Sequence, residues 1–134
     1  MPHYSETSKA NLKTTHWKIQ KIFNKAIQTF DHSILCGHRG VIAQNDAYQR
    51  GFSRVQWPHS MHNKHPSLAV DAIPYPAGFD DIAGMYFFGG YIWRLAQELE
   101  IPIRWGGNWD CDTDFDDENF RDLAHFELIM PKGY

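Results

Sequence analysis

The chain has 134 residues, 43% of them apolar and 15% aromatic, which suits one domain with its own core and excludes a disordered chain. A net charge of −3 with neutral histidines provides no basic field and argues against nucleic acid as a partner. Two cysteines, Cys36 and Cys111, form no CxxC and are too few for a disulfide framework; either reads as a small buried hydrophobe.

The N-terminus, "MPHYSETSKANLKTTHWK", is polar and carries no ordinary secretion signal, so a soluble protein made in a cytoplasm is expected. Over residues 11–30, Leu12, Ile19, Ile22, Phe23, Ala26, Ile27 and Phe30 fall at helical spacing. They predict one amphipathic helix with outward lysines and Ser8 as its cap. "SILCG" at 33–37 reads as a short strand ended by Gly37, and residues 43–50 as a short second helix. Residues 51–66 read as a loop that carries His59, His62 and His65. "SLAVDAIPY" is strand-like until Pro74 and Pro76. Residues 81–100 predict a helix apolar nearly all round, hence a core helix. Its uncharged part, 82–93, is shorter than the ~20 residues a bilayer requires and is interrupted by Gly89-Gly90, so no membrane insertion is expected. "IPIRW" is a short strand, "GGNWDCDTDFDDENF" an acidic loop, and "HFELIM" at 125–130 a last strand stopped by Pro131. With no repeat and no linker, residues 1–134 form a single α+β domain: N-terminal and central helices with a small antiparallel sheet.

Asp71 stands out, because an aspartate that follows Leu-Ala-Val is costly to bury unless it is paired or ligated. Catalytic zinc commonly takes three His, Asp, Glu or Cys ligands and keeps one position for water. The chain offers His62 and Asp71 early and "DLAH", Asp122 to His125, late, with His125 opening the last strand and Asp122 in the turn before it. That spacing suits one group on a metal and the other beside its water, where a carboxylate moves protons. The plain alternative is that eight histidines give chance pairs, most of them solvated, and that Asp122 is an ordinary loop residue.

"GHRG…AQNDAYQRGFSRVQWPHSMHNKHPSLAVDAIPYP" followed by "IRWGGNWDCDTDFDDENFRDLAHFEL" resembles the zinc peptidases of the D-Ala-D-Ala carboxypeptidase and L-alanyl-D-glutamate endopeptidase group, above all small bacteriophage endolysins. The pattern is Ser-x-His, a run ending in Ala-x-Asp, and a late Asp-x-x-His. The resemblance implies a Hedgehog/DD-peptidase-like fold and zinc held by His62, Asp71 and His125. It implies Asp122 as general base and then acid, and Arg39 at the developing oxyanion or the substrate carboxylate. Ser60 would be a hydrogen-bonding loop residue and Glu127 an orienter of a ligand histidine. His65, six residues before Asp71, competes with His62; the Ser-x-His element favours His62. By resemblance, the reaction is hydrolysis of the L-Ala–D-Glu amide in the peptide stem of peptidoglycan. The enzyme is expected to be a monomer without a separate wall-binding module, waiting in the host cytoplasm until lysis. The alternatives are a D,D-carboxypeptidase or dipeptidase trimming D-Ala termini, and a non-catalytic protein that keeps a metal for stability.

Asp110, Asp112 and Asp114 alternate as in the first half of a calcium loop, though without the glycine at its sixth position or the glutamate at its twelfth. A calcium ion there would relieve their repulsion and could order the segment before Asp122; the alternative is a solvated acidic loop. Trp57, Trp105 and Trp109 flank the site in sequence, as groove walls or, for Trp105, as core.

Overall fold

The N-terminal run of helical spacing is two helices. In the computed structural model, which describes residues 2–109, 111 and 122–132, α1 (Glu6–Lys13) and α2 (Trp17–Ala26) are separated at 14–16. Ser5 caps α1, and the His16 ring caps α2 by accepting from the Lys18 N–H. Ser8, predicted as the cap, lies buried inside α1 and accepts the N–H of Ile34 instead. The interruption has a physical cause in the bonds it makes. Thr14 Oγ1 accepts the His38 N–H at 2.8 Å, Thr15 bridges to Ser67, and the His16 N–H donates to the Ser67 carbonyl at 2.8 Å. Gly37 passes so close beneath that a Cβ there would overlap Thr14 Oγ1 and the Asn11 carbonyl. The break therefore ties the helices to the two segments that flank the loop carrying His62.

Four strands follow in the chain, β1 (His32–Cys36), β2 (Ala69–Pro74), β3 (Ile103–Gly106) and β4 (Asp122–Leu128), with α3 (Val41–Gln49) after β1 and α4 (Ile82–Glu98) after β2. The sheet order is β1-β2-β4-β3 with every pair antiparallel, so the expected α+β class and small antiparallel sheet are present. Strand alternation sorts the side chains. Val70, Ala72, Phe126 and Leu128 are buried in the core with Ile19, Ile22 and Phe23 of α2 and Phe88 and Ile92 of α4. The Phe126 ring meets Phe23 and Phe88 edge-on at 5.6 and 6.0 Å. Asp71, His125 and Glu127, at the intervening positions, face the other way. Helix α4 is not buried all round: Phe87 is 69% and Ile82 57% exposed, while Met85, Phe88, Ile92 and Leu95 are buried. Among the described residues, no helix is long and apolar enough to cross a membrane.

Register puts three residues in one row across the sheet, Cys36 opposite Asp71 and Asp71 opposite His125. Both outer ladders are irregular beside that row, between Ile34 and Cys36 and between Trp105 and Gly106. Such irregularities re-aim side chains. The second brings Gly106 opposite Asp122, where a Cβ would overlap the Asp122 carbonyl. Asp122 therefore begins β4 and is not in a turn before it, a correction to the sequence reading. Alternation alone would set positions 122 and 125 on opposite faces; the irregular ladder brings both to one site.

Close packing of α4 on the sheet gives a stability test. A Cβ at Gly89 would overlap the Trp105 ring, whereas one at Gly90 meets nothing within 4 Å. Gly89→Ala is expected to cost ~1–3 kcal/mol by overpacking, and Gly90→Ala to stabilise the helix by up to ~1 kcal/mol. Urea unfolding of the two variants checks the contrast.

Candidate metal centre

The stretch "SMHN" folds as a single 3-10 turn, Met61–Asn63, held by reciprocal bonds. Ser60 Oγ accepts the His62 N–H at 3.1 Å, and Asn63 Oδ1 accepts the Ser60 N–H at 3.0 Å. The Arg39 N–H donates to the His62 carbonyl at 2.8 Å, and Asn63 Nδ2 donates to the Arg39 carbonyl at 3.0 Å. Ser60 thus shapes the turn that delivers His62, and Arg39 is stitched to that turn.

His62 Nε2 and His125 Nδ1 lie 3.2 and 3.3 Å from the same oxygen of Asp71, Oδ1. Two ligands of one tetrahedral zinc with bonds of ~2.0–2.1 Å stand about this far apart. Each ring is fixed from behind. His62 Nδ1 donates to the Gly37 carbonyl at 2.7 Å, and His125 Nε2 donates to Glu127 Oε1 at 2.8 Å. Glu127 is itself held by Arg104, 3.5 Å away. Outer acceptors of this kind set the orientation of metal-binding imidazoles and leave the inner nitrogen for the ion. The donor set and its outer bonds fit a divalent cation.

Among the described residues, two groups bring ligand atoms within 4.8 Å of one another: Cys36, His62 and Asp71, and Asp71, Asp122 and His125. Asp71 belongs to both, whereas His62 and His125 fall in different groups, so the predicted trio of His62, Asp71 and His125 is not itself gathered within that distance. His65 belongs to neither; it is exposed and packs against His38 at a ring distance of 5.1 Å. Asp110, Asp112 and Asp114 lie outside the described residues. Cys36 and Cys111 are both free thiols.

Burial works against charge on His62, yet the Asp71 carboxylate beside it pushes the imidazole up to about 10. Burial likewise opposes protonation of His125, and its bonds to Asp71 and Glu127 outweigh that and raise it. Burial would raise Asp71, but His62 and His125 hold it well below the usual carboxylate range. Asp122 goes the other way: burial, then the charge of Asp71, raise it above an ordinary aspartate.

Arg39 Nη2 sits 3.3 Å from Asp71 Oδ2, and its Nη1 donates to Gln44 Oε1 at 3.1 Å. Gln44 was not among the predicted site residues. It is fully buried, and its amide uses its whole hydrogen-bonding capacity. The Oε1 accepts from Arg39 and Asn63, and Nε2 donates to Ser53 Oγ and the Val55 carbonyl. Cys36 is more than the small hydrophobe its sequence suggests: its Sγ lies 3.8 Å from His62 Nδ1. The only sequence hint for Gln44 was an amide within a weakly amphipathic helix, and for Cys36 a place at the end of a strand.

A groove of about 310 Å³ opens over the cluster, lined by Asp71, Asp122, His125 and Glu127 and by the loop residues Phe52 to Val55. Trp109 also lines it and packs on the His125 ring at 5.4 Å. Trp105 is core, its indole N–H donating to the Leu123 carbonyl at 2.9 Å. Trp57 is half-buried and does not line the groove.

Comparisons with known proteins bear on the family and the fold. The profile of the phage L-alanyl-D-glutamate peptidase family matches residues 2–129. The L-alanyl-D-glutamate peptidase of Escherichia phage T5 is 27% identical over an alignment of 135 positions that covers 94% of this chain and 97% of that protein. The crystal structure of the Serratia marcescens L-Ala D-Glu endopeptidase ChiX superposes with a TM-score of 0.74 at 23% identity, over 96% of this chain and 91% of that one.

Metal binding tests the geometry directly. His62→Ala is expected to abolish binding of one zinc equivalent, measured by calorimetry and elemental analysis, whereas His65→Ala retains it. Glu127→Gln, which keeps the size but weakens the support of His125, should lower the affinity by roughly 10–100-fold.

Proposed function

The chain belongs to the family of phage L-alanyl-D-glutamate peptidases, and from that premise we propose a zinc-dependent endolysin whose reaction is carried out by the cluster around Asp71. Zinc would be held by His62, Asp71 and His125. When bound, the ion supplies Lewis acidity and brings the pKa of a coordinated water to ~7. The remaining work falls to side chains of this chain. Asp122, raised by burial and by its neighbour Asp71, takes a proton from the attacking water and delivers it to the departing amine of D-Glu. Arg39 presents an always-charged guanidinium to the carbonyl oxygen as charge develops there, and Gln44 holds it in place. Ser60 and Glu127 orient the two histidines from outside.

The observation that carries this reading is the arrival of Asp122 within 4.8 Å of the ligand atoms of both Asp71 and His125. A site that only stabilised the fold would have no use for a second acid, raised in pKa and facing a groove. The substrate is the peptide stem of peptidoglycan, and the protein acts on the cell wall. Waiting in the host cytoplasm until the membrane is opened fits that role. A calcium ion at Asp110, Asp112 and Asp114 is a further part of the proposal; loss of activity in a calcium-selective chelator, restored by calcium, is its expected signature.

Mass spectrometry of peptidoglycan digested by the zinc-loaded protein tests the reaction. Fragments with a free D-Glu amino terminus are expected, and Asp122→Ala should slow their release by roughly 100- to 10,000-fold while zinc stays bound. Loss of terminal D-Ala would instead indicate a carboxypeptidase. Zinc binding without any cleavage would indicate a structural metal.

A further inference from the structure

The groove is chemically lopsided. Asp71, Asp122 and Glu127 lie at the cluster, whereas Arg54, in the loop at 52–55, is a cationic residue lining the same groove. Residues on both sides of Arg54 are tied to one buried side chain. Gln44 Nε2 donates to Ser53 Oγ at 2.9 Å and to the Val55 carbonyl at 2.7 Å. Ser53 Oγ also accepts the Val55 N–H at 3.2 Å, closing the loop on itself. The same Gln44 holds Arg39, so the Arg39 guanidinium and the loop residues on either side of Arg54 are referenced to one amide. Arg39, only 16% exposed beside Asp71 and Gln44, is the one proposed above for the reacting carbonyl. Arg54 is exposed at the groove.

Resting on the reaction proposed above, we infer that Arg54 selects the substrate by receiving the carboxylate that D-Glu keeps beside the scissile amide. Glutamate has two carboxyl groups and the stem continues through one of them, so the other remains as an anion next to the bond to be cut. A guanidinium offers that planar acceptor a matching fork of donors and stays charged at any pH of interest. The chemistry recognised is therefore an unblocked D-Glu. A stem in which this carboxyl is an amide lacks the charge and presents an NH2 donor to a donor.

The test uses two synthetic stem peptides that differ only at that group, D-Glu or its carboxamide, with zinc-loaded protein. Wild-type kcat/KM should favour the acid by about tenfold or more, mostly through KM, as a charge-assisted bond would give. In Arg54→Gln that ratio should fall toward one, and Arg54→Lys should restore part of it. A wild-type ratio near one, or an Arg54→Gln variant that keeps the preference or slows both peptides alike, would overturn the assignment. Calorimetric binding of both peptides to Asp122→Ala protein, with and without Arg54→Gln, separates the two proposals. If neither peptide is cleaved by wild type, the peptidase reading falls, and the acid-over-amide binding ratio still decides the role of Arg54.

Discussion

The constraint on which the site depends is the placement of Asp71, half-buried at the floor of the groove, in the middle of the sheet. A carboxylate in that position is costly unless its charge is answered at short range. Three groups answer it: His62 and His125 on Oδ1, and Arg39 on Oδ2. Removing a partner from a buried ion pair typically costs ~3–5 kcal/mol, because the remaining charge is stranded. The segments that carry those partners are accordingly fixed with some care. The 3-10 turn at Met61–Asn63, the close pass of Gly37 and the break between α1 and α2 all serve to bring His62 to its place.

Legibility in the sequence followed the range of the interactions. Asp71 was visible because a local rule was broken: an apolar strand continued into a charge. His62 was visible through the Ser-x-His element of the family resemblance, and Ser60 of that element does shape the turn at His62. What failed to show was set by contacts between distant segments. The break at 14–16 results from bonds to His38 and Ser67, more than 20 residues away, so helical spacing ran straight through it. The start of β4 at Asp122 depends on an irregular ladder with β3. Gln44 is the clearest case. A glutamine in a helix with little amphipathic character reads as surface, and only the folded chain shows four partners around it.

The same amide explains how a thin groove wall can be specific. Helix α3 buries little besides Gln44, and Ile42 on it is 87% exposed. Its attachment near the site is therefore polar rather than hydrophobic, and directional bonds fix position more closely than apolar contact does. One side chain sets the distance between the turn at His62, the guanidinium of Arg39 and the loop around Arg54. A change at position 44 would disturb all three at once, which is why its effects should not be divided among them by adding single substitutions.

The outer bonds of the two histidines also link the metal to protons. Each imidazole has an acceptor at both ends, Gly37 and Asp71 for His62, Glu127 and Asp71 for His125. The acceptors that raise both imidazoles are also the ones that fix their rings. Were a divalent cation to take the inner nitrogens, each imidazole would give up its inner proton, and the outer N–H bonds to Gly37 and Glu127 would keep the rings aimed at it.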